Sequence, residues 1–237
     1  MSPCQSVQEP RALGQFRHGL LPVVGLIGDI GGGKSEVAGL FKERGAVVID
    51  ADAVGHELLK DPGVLHQIVE RFGPGVLVRT GGGEPGLTPA IDRKALGAIV
   101  FNDPAARHAL EAILHPRMRA WFRAIIEREL AENGGEGRLI VLDAAILLEA
   151  GWDDLCDRIV FVDAPREERM RRVQEQRGWS REALEARERA QWPADEKRVR
   201  ADVMINNDSG LESLRRAVEQ VEATLADLSC PVIVRAN

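Results

Sequence analysis

At 237 residues, 44% of them hydrophobic, the chain can bury a sizeable core, as one domain with insertions or as two small ones. Its formal charge of −6, from 31 basic and 37 acidic residues, argues against a general nucleic-acid surface, so an anionic ligand has to be held by local basic groups. Cys4, Cys156 and Cys230 have no C-x-x-C spacing, which speaks against a disulfide framework or zinc site and suits a reducing, cytoplasmic compartment.

In chain order, residues 1–20 contain Cys4, Gln5, Glu9, Pro10 and Arg11 but no apolar h-region, so they read as a loose N-terminal extension and not as a signal peptide. No apolar run approaches the ~20 residues that a membrane helix needs. A short β-branched strand with Val23, Val24 and Ile27 then enters Gly28-Asp29-Ile30-Gly31-Gly32-Gly33-Lys34-Ser35, which fits G-x-x-x-x-G-K-[ST], the phosphate-cradling P-loop. Glycines let the backbone curl around a phosphate with its N–H groups pointing inward, in conformations that a Cβ would hinder. Lys34 can reach the β- and γ-phosphates, and the Ser35 hydroxyl can ligate Mg²⁺. Val37, Ala38, Leu40 and Phe41 follow at helical spacing, so a helix N-terminus adds its partial positive charge to the anion site. Gly28, Gly31, Gly32, Gly33, Lys34, Ser35 and Glu36 are therefore the candidate ATP-binding residues, with Lys34 also catalytic.

Gly45 is the expected stop of that helix, and Ala46-Val47-Val48-Ile49 reads as a second buried strand ending in Asp50-Ala51-Asp52. Ligands of parallel α/β sheets bind outside the carboxyl ends of strands, so both carboxylates are candidates for chemistry, Asp52 ahead of Asp50. If strand geometry persists that far, they point to the same side. The alternative is that one of them caps the helix starting near Ala53.

Residues 61–137 have a helical texture with no strand signal. Asp61-Pro62 looks like an N-cap with Pro at N1, Gly73-Pro74 a stop, residues 79–89 a loop, and Asp92 and Asp103-Pro104 two further helix starts. His115-Pro116 marks an expected break, before a helix whose apolar residues, including the Trp121-Phe122 pair, are assigned to core and which Asn133-Gly134-Gly135 ends.

The sheet resumes at Leu139-Ile140-Val141-Leu142, ending in Asp143, a position where P-loop proteins keep a carboxylate that supports Mg²⁺ through water. A fourth strand, Ile159-Val160-Phe161-Val162, ends in Asp163. Residues 165–200 are strongly charged and helical, with Arg166, Arg169, Arg171, Arg172, Arg177 and Arg181 close together. Glu167, Glu168 and Glu175 can satisfy only some of these through i,i+4 pairs. An arginine-rich segment after a sheet strand is what a phosphoryl-transfer lid needs, because guanidinium groups cover the phosphates and closure excludes water. Asp202-Val203-Met204-Ile205 is a fifth strand, ending at Asn206-Asn207, and residues 211–225 form a final amphipathic helix.

The expected architecture is α/β, a P-loop NTPase fold with a five-stranded parallel sheet flanked by helices and joined by right-handed crossovers. Residues 21–60, 138–164 and 201–230 form the nucleotide-binding core, 61–137 a helical insertion between sheet strands, which the resemblance described next puts on the acceptor side, 165–200 the lid, and 231–237 a tail.

The residues that carry a family resemblance are spread over nearly the whole chain. They are the P-loop stretch from Gly25, Val48-Ile49-Asp50-Ala51-Asp52, Asp92-Arg93, Leu114-His115-Pro116, Leu147-Leu148-Glu149, Arg187 with Gln191-Trp192-Pro193, Glu196-Lys197-Arg198, and Ala201-Asp202 leading to Asn207. Together they resemble the dephospho-coenzyme A kinase family, P-loop kinases of the nucleoside-monophosphate-kinase type. The resemblance implies transfer of the ATP γ-phosphoryl group to the ribose 3′-hydroxyl of dephospho-coenzyme A, with Mg²⁺ as cofactor, small-molecule partners only, no nucleic acid or membrane, and a monomer favoured. It makes Asp52 the catalytic carboxylate and Arg172 a phosphate-clamping lid arginine, puts Asn207 in the adenine pocket, and puts Arg93 and His115 on the coenzyme side together with Asp52. For His115, packing at a helix junction is the alternative.

Asp29 stands where the family usually has Gly, and Glu36 where it usually has Thr, so both must turn away from the phosphates. Ala145 replaces a usual Pro and Asn206 a common Asp. A nucleoside monophosphate kinase is the nearest rival reading. A non-catalytic ATP-binding regulator is the rival of another class, with Asp29 as its only hint.

Overall fold

The computed structural model describes residues 21–78, 89–133 and 139–226. It forms two compact units, Met1–Val48 with Arg128–Asn237, and Ile49–Glu127. The extension at residues 1–20, the loop at residues 79–88, Gly134-Gly135 and the tail at residues 231–237 lie outside the described residues.

The first unit is built on a five-stranded sheet in the order β2-β3-β1-β4-β5. Its strands are β1 (Val23–Gly28), β2 (Val47–Asp50), β3 (Ile140–Asp143), β4 (Arg158–Asp163) and β5 (Val203–Asn206). β1 is buried throughout and runs parallel to both β3 (Leu26 opposite Asp143) and β4 (Gly28 opposite Val162). β4 pairs in parallel with β5, Asp163 opposite Asn206. Buried on both faces, β1, β3 and the middle of β4 read as continuous apolar runs, whereas β2 and β5 are only partly buried. Two carboxylates close the other ends of the ladder: Asp157 accepts from the Val23 amide at 2.8 Å, and Asp202 from the Ile159 amide at 2.7 Å.

Helix α1 (Lys34–Glu43) buries Val37, Ala38, Leu40 and Phe41, one stripe at the 3.6-residue period. It stops at Gly45 as expected, whose amide donates to the Lys42 carbonyl at 3.0 Å. Helix α9 (Leu211–Ala226) brings Leu214, Ala217, Val218, Val221 and Leu225 to the same core. Between β4 and β5 the charged stretch folds as α6 (Arg166–Arg177), α7 (Arg181–Glu188) and α8 (Ala194–Arg200).

The second unit is helical, with α2 (Ala51–Leu58), α3 (Pro62–Phe72), α4 (Arg93–Asn102) and most of α5 (Pro104–Asn133). Each start is written in the sequence. Asp61, Asp92 and Asp103 accept from the Val64, Ala95 and Ala105 amides at 2.9, 3.0 and 2.8 Å, satisfying donors that the first turn leaves unpaired. Val64, Ile68, Val76, Ile91 and Leu96 form the core.

Three expectations are corrected. The break at His115-Pro116 does not occur: α5 is one helix of 30 residues with Pro116 inside it. Pro116 removes the hydrogen bond to the Ala112 carbonyl, but Ala106, Met118, Phe122 and Ile126 are buried on either side of it, and that packing holds both halves in one helix. The Trp121-Phe122 pair is split, Phe122 fully buried and Trp121 41% exposed, because neighbours in a helix cannot share a face. β2 ends at Asp50, so the strand geometry that would align Asp50 with Asp52 does not persist; Asp50 is the N-cap of α2, and its Oδ1 accepts from the Ala53 amide at 3.0 Å.

Candidate phosphate site and lid

Between β1 and α1 the chain makes a tight loop, the Gly32 amide donating to the Asp29 carbonyl at 2.9 Å and the Val37 amide to the Gly33 carbonyl at 3.1 Å. Two glycines carry positive φ, +80° at Gly31 and +91° at Gly33. A Cβ on Gly31 would stand 2.7 Å from the Arg169 carbonyl oxygen, and one on Gly33 would run into the Asn207 amide nitrogen. The loop therefore needs glycine for its turn and also for the close approach of α6 and of the segment after β5. A Gly33→Ala protein is expected to bind ATP at least about tenfold more weakly, since a non-glycine residue at such φ costs roughly 1–2 kcal/mol before the Asn207 clash is counted. Titration with ATP, with a thermal melt to confirm folding, checks this.

Lys34, the first residue of α1, carries its ammonium to the Asp143 carboxylate at the end of the neighbouring β3. Their side chains are 17% and 10% exposed. Ser35 and Glu36 are exposed in the first turn of α1, at the helix end that favours an acidic group.

The lid arginines sort themselves by partner. Arg171 is held by Glu168 and Glu175, both at 2.8 Å, on the exposed face of α6. Arg166 pairs with Glu185 and Glu188 of α7. Arg177 and Arg187 stack on the Trp179 ring, at 5.0 and 3.9 Å from its centre. Arg172 reaches the P-loop: its guanidinium donates to the Asn207 carbonyl at 3.0 Å and the Gly32 carbonyl at 3.4 Å. Asn207, buried at 3% exposure, closes the triangle by donating from its side chain to the Gly32 carbonyl at 3.0 Å. The structure thus brings Gly32, Gly33, Arg172 and Asn207 into one cluster.

Asp29 faces Arg169 at 3.8 Å and Lys197 at 3.5 Å. Neither cation had been assigned a role. Lys197 sits in a run of charged residues that looks solvated, and its burial comes from packing that no local pattern reveals. The signal that could have found it is Asp29 itself, a carboxylate beside an anion site, which needs a cation to face. Further along, Arg198 grips Asp163 through both carboxylate oxygens, at 3.1 and 3.2 Å. A cleft of about 480 Å³ opens at the ends of β4 and β5, lined among others by Pro165, Arg166, Asn206 and Asp208.

In the second unit, Asp52 is exposed in the first turn of α2 and Arg93 is exposed at the start of α4. His115 is half-buried in α5, and burial pushes its imidazole below the usual value against the opposing pull of Glu111.

A family model for dephospho-CoA kinase matches residues 22–213. The chain belongs to the dephospho-CoA kinase family. A dephospho-CoA kinase from Symbiobacterium thermophilum is 44% identical over 199 residues, covering 83% of this chain and 78% of that protein. One from Geobacter sulfurreducens is 41% identical, covering 85% and 97%. Among solved structures, TT1252 from Thermus thermophilus is 38% identical with a TM-score of 0.69, over 86% of this chain and 98% of that one. The dephospho-CoA kinase from Campylobacter jejuni is 26% identical with a TM-score of 0.62, over 86% and 96%. In this dephospho-CoA kinase family member, two of the segments that carried the resemblance meet at the foot of the lid, the Trp192 amide donating to Glu149 at 2.7 Å.

Proposed function

We propose that the chain transfers the ATP γ-phosphoryl group to the ribose 3′-hydroxyl of dephospho-coenzyme A, with Lys34, Arg172 and Asp52 as the catalytic residues. Membership of the dephospho-CoA kinase family makes it an ATP-dependent kinase. The observation that carries the residue-level reading is the lid arginine Arg172 resting on the P-loop carbonyl of Gly32, three residues from the loop's end at Ser35.

In this reading the amides from Gly28 to Ser35 and the α1 N-terminus hold the phosphates. Lys34 exchanges Asp143 for the β- and γ-phosphates when ATP binds, and Arg172 exchanges the Gly32 and Asn207 carbonyls for phosphate oxygens. Both exchanges trade a neutral or local partner for the charge that spreads over the γ-phosphoryl group in a loose transition state. Asp52 accepts a hydrogen bond from the attacking hydroxyl and takes its proton as the new bond forms; in such a transition state, aiming the oxygen in line matters more than early deprotonation. The adenine lies against Asn207 and the cleft bordered by its neighbours Asn206 and Asp208. Arg93 and His115 serve the coenzyme side.

The donor set suits Mg²⁺. Among the described residues no three His, Cys, Asp or Glu side chains gather into a metal cage, and Mg²⁺ takes one or two protein oxygens together with substrate phosphates. Ser35 would hold it directly and Asp143 through water, and it would neutralise negative charge on the phosphates. No helix of the described residues is long and apolar enough to cross a membrane. We read the protein as a cytoplasmic monomer acting on small molecules.

Purified protein with Mg-ATP and dephospho-coenzyme A is expected to give the 3′-phosphorylated product by mass spectrometry, and none from AMP or UMP run beside it. Phosphorylated AMP or UMP would move the assignment to nucleoside monophosphate kinases. ATP binding with no product from any acceptor would make the chain a regulator.

A further inference from the structure

Lys197 is almost wholly buried, its side chain 2% exposed, and a buried ammonium must be paired to be tolerated. Its acceptors are Gln191 Oε1 at 2.9 Å and Asp29 Oδ1 at 3.5 Å. Arg169, 9% exposed, faces the other oxygen of the same carboxylate, Asp29 Oδ2, at 3.8 Å. It also donates to the Ile30 carbonyl at 3.3 Å and to Glu188 Oε1 at 2.5 Å. One carboxylate on the phosphate loop therefore faces cations from α6 and α8, and through Arg169 it is linked to Glu188, the last residue of α7. Gly31 packs under the Arg169 backbone, so the loop and α6 are in contact at the same point.

Arg172 follows Arg169 by three residues, which puts the two on one side of α6. Whatever fixes the rotation of α6 at Arg169 also fixes where the Arg172 guanidinium falls. We propose that Asp29 is a positioning residue that anchors the base of the lid to the phosphate loop through Arg169 and Lys197, and so aims Arg172 at the phosphates before ATP arrives. The inference rests on the reading of Arg172 as the phosphate clamp. It also gives the negative charge of Asp29 a purpose compatible with an anion site, because two cations neutralise it.

The test is a four-enzyme cycle of wild type, Asp29→Asn, Arg172→Ala and the double variant, with kcat and the KM for ATP measured at saturating dephospho-coenzyme A. Asp29→Asn is expected to lower kcat by roughly ten- to a hundredfold, the scale of a small misplacement of a catalytic group. In the Arg172→Ala background the same change is expected to cost less than about twofold, since residues that act through one another are not additive. Asp29→Glu restores most of the loss. A parallel readout, hydrogen exchange without nucleotide, is expected to speed up in α6 and α8 of Asp29→Asn and not in α9. An equal kcat loss in both backgrounds overturns the proposal, because Asp29 would then act without Arg172. Unchanged exchange in α6 and α8 overturns the anchoring. An Arg172→Ala enzyme with full kcat overturns the clamp reading instead; faster exchange would then still support the anchoring.

Discussion

An Asp52→Asn enzyme is expected to bind ATP as the wild type does and to lose about 10²–10⁴ in kcat, the usual contribution of a positioned general base. The amide keeps the size of the carboxylate and can still accept a hydrogen bond, but it cannot take the proton of the attacking hydroxyl. Folding should be nearly unaffected, because Asp52 is exposed and the helix cap is made by Asp50. Losing a first-turn charge costs only about 0.3–1 kcal/mol of helix stability. Asp50→Ala is the matched control. It removes the cap bond to the Ala53 amide, at a cost of about 1 kcal/mol in stability, and leaves kcat within a few-fold. Steady-state kinetics with calorimetric titration of ATP on both variants separates the two carboxylates. If Asp52→Asn stays within about fivefold of wild type, the proton acceptor is another group.

These two aspartates also show what a sequence can and cannot disclose. The D-A-D stretch at the end of a strand marks both residues as candidates, and capping is a known job for either. Only the point where β2 stops decides between them, and that point is set by where the sheet ends, which is a tertiary fact. The P-loop was legible because its constraints are local: Gly31 and Gly33 must adopt positive φ, and Lys34 must open a helix. The aspartate caps of α3, α4 and α5 were legible for the same reason. Pro116 misled because the local rule against proline in a helix was outweighed by buried residues on both sides of it.

The lid shows the limit most clearly. Its helical nature followed from composition, but which arginine serves the phosphates depends on partners far away in the chain. Arg166 and Arg169 are taken up by Glu185 and Glu188, which lie 19 or 22 residues further on, beyond any i,i+4 reckoning. Arg172 was singled out by family resemblance, and in the structure it donates to the main-chain carbonyls of Gly32 in the phosphate loop and of Asn207 after β5. The strand order β2-β3-β1-β4-β5 was equally out of reach, since periodicity gives strands and not their neighbours.

A Lys34→Met enzyme is expected to lose at least about 10³ in kcat/KM, because an ammonium aimed at the transferring phosphoryl group is worth 10²–10³ in the transition state alone and also contributes to ATP binding. The second consequence lies within the fold. Lys34 and Asp143 are mostly buried, and removing one member of a fully buried pair costs about 3–5 kcal/mol, less here because both side chains keep some contact with solvent. Lys34→Met should therefore melt at a lower temperature than wild type, and adding Asp143→Asn should recover part of that loss while leaving activity no higher. Asp143→Asn alone separates the two roles open to this carboxylate. If Asp143 holds Mg²⁺ through water, the apparent Mg²⁺ affinity in the kinase assay falls by about 10–100-fold, the usual effect of an outer-shell ligand. If it serves only to park Lys34, the Mg²⁺ titration stays where it was and only the melting temperature moves. Retention of wild-type kcat/KM by Lys34→Met would remove the phosphate-contacting lysine from the mechanism altogether.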